Sequence, residues 1–110
     1  MNEIIGLPAI VSARYRIVID KNLRNLFNIP ETGSVLVRVT RNRLQIFPAS
    51  RLVGGAVQKS ISIGRFNLPM EWVRRNGVEI GSHVFLIATD DCILVCPSVK
   101  KQKIEGKEKK

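Results

Sequence analysis

Shifted by 49 residues, the chain aligns with itself: residues 12–48 match residues 61–97 without a gap. Four pairs are identical, Arg16 with Arg65, Val35 with Val84, Thr40 with Thr89 and Pro48 with Pro97. The apolar pattern constrains the fold more than this identity does. Ile17, Ile19, Leu23 and Ile29 face Phe66, Leu68, Trp72 and Val78, and seven further apolar positions between 35 and 47 face apolar residues between 84 and 96. A unit of about 40 residues with a few short strands cannot bury both faces of its own sheet. Two such units can bury one face of each against the other, so the duplication predicts one shared core rather than two independent domains.

Both copies read the same way. Arg16-Ile17-Val18-Ile19 is a β-branched strand, and Arg65-Phe66-Asn67-Leu68 alternates apolar and polar. Asp20 is a candidate helix N-cap in the first copy, and Pro69 stands near the first helical position in the second. Leu23, Leu26 and Phe27 form the i, i+3, i+4 stripe of a short amphipathic helix; the second copy offers Trp72 and Val73 before Asn76-Gly77 stops it. A Pro- or Gly-containing turn follows, then a hairpin, residues 35–39 with 44–47 and residues 84–88 with 93–96, terminated by Pro48 and Pro97. The expected architecture is mainly β: a closed or nearly closed barrel built by pseudo-twofold pairing of two tandem repeats, each with one short α-helix. Closure removes exposed strand edges. The expected organisation is repeat 1 over 9–48, a linker over 49–57, repeat 2 over 58–97, and a basic, disordered tail over 98–110.

At 110 residues and 45% apolar content the chain has room for one compact domain with a real core, and none for a large multi-domain enzyme. No apolar run approaches the roughly 20 residues of a membrane-spanning helix. Glu3 stands where a secretory leader carries basic residues, so the expected location is cytoplasmic, associated with the nucleoid. Cys92 and Cys96 lie four apart in an apparent strand, roughly 13 Å at about 3.3 Å per residue, too far for a disulfide. Their spacing fits no common zinc pattern and His83 is the only histidine, so neither a metal nor another cofactor is expected. No nucleophile and base stand at a recognisable spacing, and none of the HExxH, GxSxG or phosphate-loop patterns occurs, so the chain does not read as an enzyme. Trp72, aligned with Leu23, reads as core. The six aromatic residues do not cluster as a single-strand or RNA-binding sheet requires.

The net charge of +9 is unevenly spread. Residues 9–48 hold seven basic and two acidic side chains, residues 58–97 hold four of each, and the tail from 100 onward carries six lysines and two glutamates. A strongly basic first half on a folded surface points to a polyanionic partner. Arg14 and Arg16 alternate along one stretch and are expected to share a strand face, with Arg24 joining them from the helix start. Arginine forks suit phosphates and guanine edges bidentately. Arg38, Arg41 and Arg43, on the hairpin over residues 35–47 and its turn, either extend that patch or keep the barrel soluble.

The second copy, running from Gly64-Arg65 through an apolar strand, Pro69, a short helix, Gly77, Val78 and Gly81, resembles the AbrB/SpoVT family of prokaryotic swapped-hairpin DNA-binding domains. The first copy, residues 15–24, is similar, with Tyr15 in the place of the glycine. Single-copy members of that family build the barrel as an interleaved dimer and touch DNA through arginines near the strand-to-helix region. The resemblance therefore implies a single-chain version, similar in plan to the MraZ proteins, that binds duplex DNA as a transcription regulator. The DNA-binding residues so implied are Arg14, Arg16, Lys21, Arg24, Lys59, Arg65, Arg74 and Arg75, with Ile10 falling opposite Lys59 at the 49-residue offset. Two alternatives stand beside this reading: an architectural DNA-binding protein with little sequence preference, and an antitoxin-like barrel that engages another protein. The expected partners are double-stranded DNA, no membrane, and a second copy of the chain in a homodimer or higher homo-oligomer.

Overall fold

A computed structural model describes residues 6–98. The tail expected to be disordered lies, apart from Ser98, outside the described residues. The elements in chain order are β1 Leu7–Ile10, β2 Arg16–Val18, α1 Lys21–Leu26, β3 Gly33–Val39, β4 Leu44–Pro48, β5 Val57–Ser62, β6 Arg65–Asn67, α2 Met70–Asn76, β7 His83–Ala88 and β8 Ile93–Pro97.

All eight strands belong to one antiparallel sheet in the order β1-β7-β8-β4-β3-β5-β6-β2. Its two end strands, β1 and β2, lie against each other, and a single bridge joins Ser12 to Arg16, so the sheet is a nearly closed barrel. β1 pairs with β7, Leu7 opposite Leu86 and Ala9 opposite Val84, while β3 takes β5, Val35 opposite Lys59 and Val37 opposite Val57. The two hairpins, β3–β4 and β7–β8, meet along β4–β8, where Leu44 faces Val95 and Ile46 faces Ile93.

The period-two pattern decides which residues fill the barrel. Val35 and Val37, Leu44 and Ile46, Val84 and Leu86, and Ile93 and Val95 point inward and are buried. Each such side chain contributes about 1.5–3 kcal/mol relative to an exposed one. The helices add Leu23 from α1 and Trp72 and Val73 from α2 to the same core. Trp72 is fully enclosed at 0% exposure, and its indole Nε1–H meets no acceptor. That orphan donor costs about 1–3 kcal/mol, which the burial of so large a ring offsets.

The helix signals act as their chemistry dictates. The Asp20 carboxylate accepts from the backbone N–H of Asn22 at 2.9 Å and Leu23 at 3.3 Å, capping α1. α2 ends at Gly77 with φ +63, and Asn28, which follows α1, adopts φ +57. In both places the next residue folds back onto the helix: Ile29 N–H donates to Arg24 O at 3.0 Å and Val78 N–H to Val73 O at 3.1 Å. The expected α1 stripe is corrected at one position, because Leu26 is 66% exposed. In a helix this short only Leu23 and Phe27, one turn apart, reach the core, and Leu26 lies about 100° round the axis from Phe27. The expected linker is also shorter than 49–57, since Val57 already belongs to β5.

Candidate nucleic-acid interface

The short β2–β6 ladder pairs Arg16 with Asn67, Ile17 with Phe66 and Val18 with Arg65. Its middle pair points into the barrel and is buried. Pleating then sends Arg16, Val18, Arg65 and Asn67 to the outside together. Val18 is 58% exposed on this face, with Arg16 and Arg65 at opposite corners of it. Diagonal neighbours on an antiparallel pair stand on the order of 7–8 Å apart, close enough for two guanidinium groups to address adjacent phosphates.

The turn that delivers Arg65 is locked to the first half of the chain. Ile63 and Gly64 connect β5 to β6 with φ +51 and +74, the positive values a two-residue hairpin turn requires. Gly64 N–H donates to Glu31 O at 2.8 Å, Ile63 N–H donates to Thr32 Oγ1 at 3.0 Å, and Gly64 O accepts from Ile19 N–H at 2.8 Å. Arg24 reaches the same turn from α1. Its Nε donates to Ile19 O at 3.2 Å, and its Nε and Nη2 stand 3.7 and 3.8 Å from where a Cβ on Gly64 would lie. Arg24 and Arg65, which are 41 positions apart, thus flank one turn.

Among the described residues no carboxylate pairs with Arg16, Arg24 or Arg65; the ion pairs found join Arg51 to Asp91 and Arg75 to Glu71. Arg65 is exposed. Arg16 is half-buried, its carbonyl accepts from the Ser12 hydroxyl at 3.0 Å, and its Nε is buried without an acceptor. The surface is therefore cationic, held in place by backbone hydrogen bonds, and not neutralised from within.

The other expected site residues behave differently. Arg14 does not share a strand face with Arg16: it lies in the 3-10 turn Ala13–Tyr15 with φ +67, because the chain must reverse there between β1 and β2. Tyr15, in the glycine's place, also adopts a left-handed φ of +56, so the conformation persists without the residue that adopts it freely. Lys59 falls on the inward-facing side of β5 with Ile61, half-buried, while Arg65 shares the outward side with Ser62. It lines a shallow depression with Gln58, Ser60 and Asn67. Its counterpart on β1 is Ala9 and not Ile10: Ala9 faces Val84 as Lys59 faces Val35, because the first turn, Ser12 to Arg16, carries one residue more than Ser62 to Arg65. Lys21 and Arg74 are exposed on α1 and α2, and Arg75 pairs with Glu71 at 3.0 Å one turn away.

A second cationic region has no counterpart in the sequence expectations for the linker. Residues 49–56 fold over the outside of β3 and β4, bringing Arg51 to Asp91 and to the Phe47 ring, over which Arg38 also lies. Arg38 stands opposite Gln45 and diagonal to Phe47 on the β3–β4 ladder, a placement that depends on strand register and that no motif in the sequence marks. Both cysteines are free, and burial pushes the Cys96 thiol pKa up, against the opposing charge and hydrogen bond of Arg43. Among the described residues no three His, Cys, Asp or Glu side chains gather into a metal site. The chain shows no significant match to any family model, curated protein or solved structure.

Proposed function

We propose that the chain is a duplex-DNA-binding transcription regulator of AbrB type, and that the outer face of the β2–β6 ribbon enters the major groove. The observation that carries this reading is the gathering of Arg16, Arg65 and Arg24, with no paired carboxylate among the described residues, at the outward side of one two-stranded ribbon and its turn. A two-stranded ribbon fits a major groove about 12 Å wide. Phosphate contacts from the arginines fix register, and those with free forks read base edges. Arg65, exposed and unpartnered among the described residues, suits both roles, its free fork able to meet a phosphate and a base edge. Arg24 suits the first, since its Nε is already committed to Ile19 O.

The tandem reading, repeat 1 over 9–48 and repeat 2 over 58–97, is supported by reciprocal hydrogen bonds. Ile19 N–H donates to Gly64 O, and Leu68 N–H, 49 positions later, donates to Tyr15 O, each at 2.8 Å. The swapped-hairpin reading is supported by β1 joining the β7–β8 hairpin while β5 joins β3–β4, so that each repeat's leading strand completes the other's hairpin. The two halves offer DNA unequal charge, and a homodimer of chains would restore twofold symmetry to match a palindromic site.

Selection of bound sequences from random duplexes at physiological salt tests the function. An enriched motif is the expected result. Tight binding without a motif would assign the chain an architectural role, and failure to retain any duplex would remove DNA binding altogether.

A further inference from the structure

A pocket of about 460 Å³ opens on the outer face of β3, β4 and β8, away from the β2–β6 ribbon. That volume is in the range of small-molecule sites. Three arginines line it, Arg38, Arg43 and Arg51, together with a single acidic residue, Asp91. The geometry of Arg38 is fixed at three points: Nε donates to Gln45 Oε1 at 2.7 Å, Nη1 donates to Gly54 O at 3.2 Å, and the group lies 5.5 Å from the centre of the Phe47 ring. Arg51 is held by Asp91 O at 3.3 Å, Asp91 Oδ1 at 3.4 Å and the same ring at 5.7 Å. Phe47 points outward on its strand, yet it is only 3% exposed. The pair of arginines and the folded linker cover it.

Gathering three cations around one carboxylate leaves the pocket two charges short of neutrality, and each pair of like charges repels. The arginines nevertheless keep donors in hand, since a guanidinium carries five N–H groups and the bonds above take two from Arg38 and two from Arg51. Pre-positioned planar forks with unspent donors are what a tetrahedral oxyanion binds to. We propose that this pocket is a ligand site for a small phosphate-bearing dianion, whose two charges complete its balance. The site is separate from the proposed DNA-binding face and stands whether or not that face binds DNA.

Titration calorimetry of the full chain with phenyl phosphate, at ionic strength held constant with sodium chloride, tests the assignment. Saturable one-to-one binding is expected. It should strengthen about tenfold from pH 5 to 7.5, as the second phosphate proton, with a pKa of about 6, leaves. Arg43→Gln should weaken it about tenfold while shifting the melting temperature of the free protein by no more than about 4–8 °C, since Arg43 lies over neither face of Phe47 and gives up its hydrogen bond to the Cys96 thiol. Arg41→Gln removes the same charge from the same turn but does not line the pocket, and should leave binding unaltered. Dimethyl phosphate, a monoanion that mimics the DNA backbone, should bind at least tenfold more weakly. No saturable binding, equal loss in the Arg41 and Arg43 variants, or dimethyl phosphate binding as tightly as phenyl phosphate would each overturn the proposal.

Discussion

Replacing Arg16 with Met and Arg65 with Gln together probes the proposed DNA face directly. Arg65 is exposed and its side chain makes no hydrogen bond or ion pair among the described residues, so its loss changes stability by no more than about 0.5 kcal/mol. Arg16 is half-buried with an orphaned Nε, and a buried unsatisfied donor costs about 1–3 kcal/mol. Methionine keeps the unbranched stem and removes that donor, so this substitution is neutral or stabilising. For a domain of this size about 1 kcal/mol moves the melting temperature by roughly 4–8 °C, and the double variant should stay within that interval of the parent. Its affinity for duplex DNA should change in a specific way. Each phosphate contact contributes about 0.9 to the slope of log affinity against log salt, so a slope near −5 for about six contacts should relax to roughly −3 with two removed. Fluorescence anisotropy with a labelled duplex between about 50 and 200 mM salt gives the slope, and calorimetry gives the melting temperature. An unchanged slope would mean that the ribbon face does not meet the phosphates. A melting temperature lowered by much more than that interval would mean that the arginines hold the barrel together instead.

Gly64→Ala should cost about 1–2 kcal/mol through the left-handed backbone alone, because an added Cβ meets nothing nearer than 3.7 Å; a thermal melt indistinguishable from the parent would contradict this. Asp20→Ala strips the cap that serves two N–H groups of a six-residue helix and should lower stability by about 1 kcal/mol, whereas Asp20→Asn should recover most of it in the same denaturant titration. The Cys96 thiol has its pKa raised by burial, so the folded state resists losing that proton. Its contribution to stability is complete below the unfolded-state thiol pKa of about 8.5 and is lost as pH rises through the folded value, so a denaturation midpoint that falls above about pH 8.5 should fall less in Cys96→Ala.

Local chemistry made much of this architecture legible beforehand. Asp20 caps, Gly77 terminates, Pro48 and Pro97 end β4 and β8, and the alternating valines and isoleucines of the hairpins face inward, because each depends on one residue's own conformational or polar preference. Trp72 is core, as its alignment with Leu23 indicated. The site was less legible. Counting along a strand placed Arg14 beside Arg16, but a reversal between β1 and β2 moved Arg14 into a turn, and one additional residue in that turn changed the counterpart of Lys59 from Ile10 to Ala9. Period-two counting fails wherever the backbone leaves the extended region, and no residue type in 12–16 announces that it does.

From its sequence alone the chain determines that it folds as short strands with two brief helices around one apolar interior, and that its first half carries the excess positive charge. Those are consequences of periodicity, capping and composition, which act over a few residues or over the whole chain at once. Tertiary structure alone decides which strands become neighbours, and therefore which arginines meet. Pairing β2 with β6 sets Arg16 diagonal to Arg65, docking the Ile63–Gly64 turn against Glu31 and Thr32 brings in Arg24, and folding the linker over Phe47 assembles Arg38 and Arg51. The physical reason is that strand pairing and loop docking satisfy backbone hydrogen bonds and bury apolar area between distant segments. Exposed charged side chains contribute far less to stability, so they are carried wherever that pairing and burial put them.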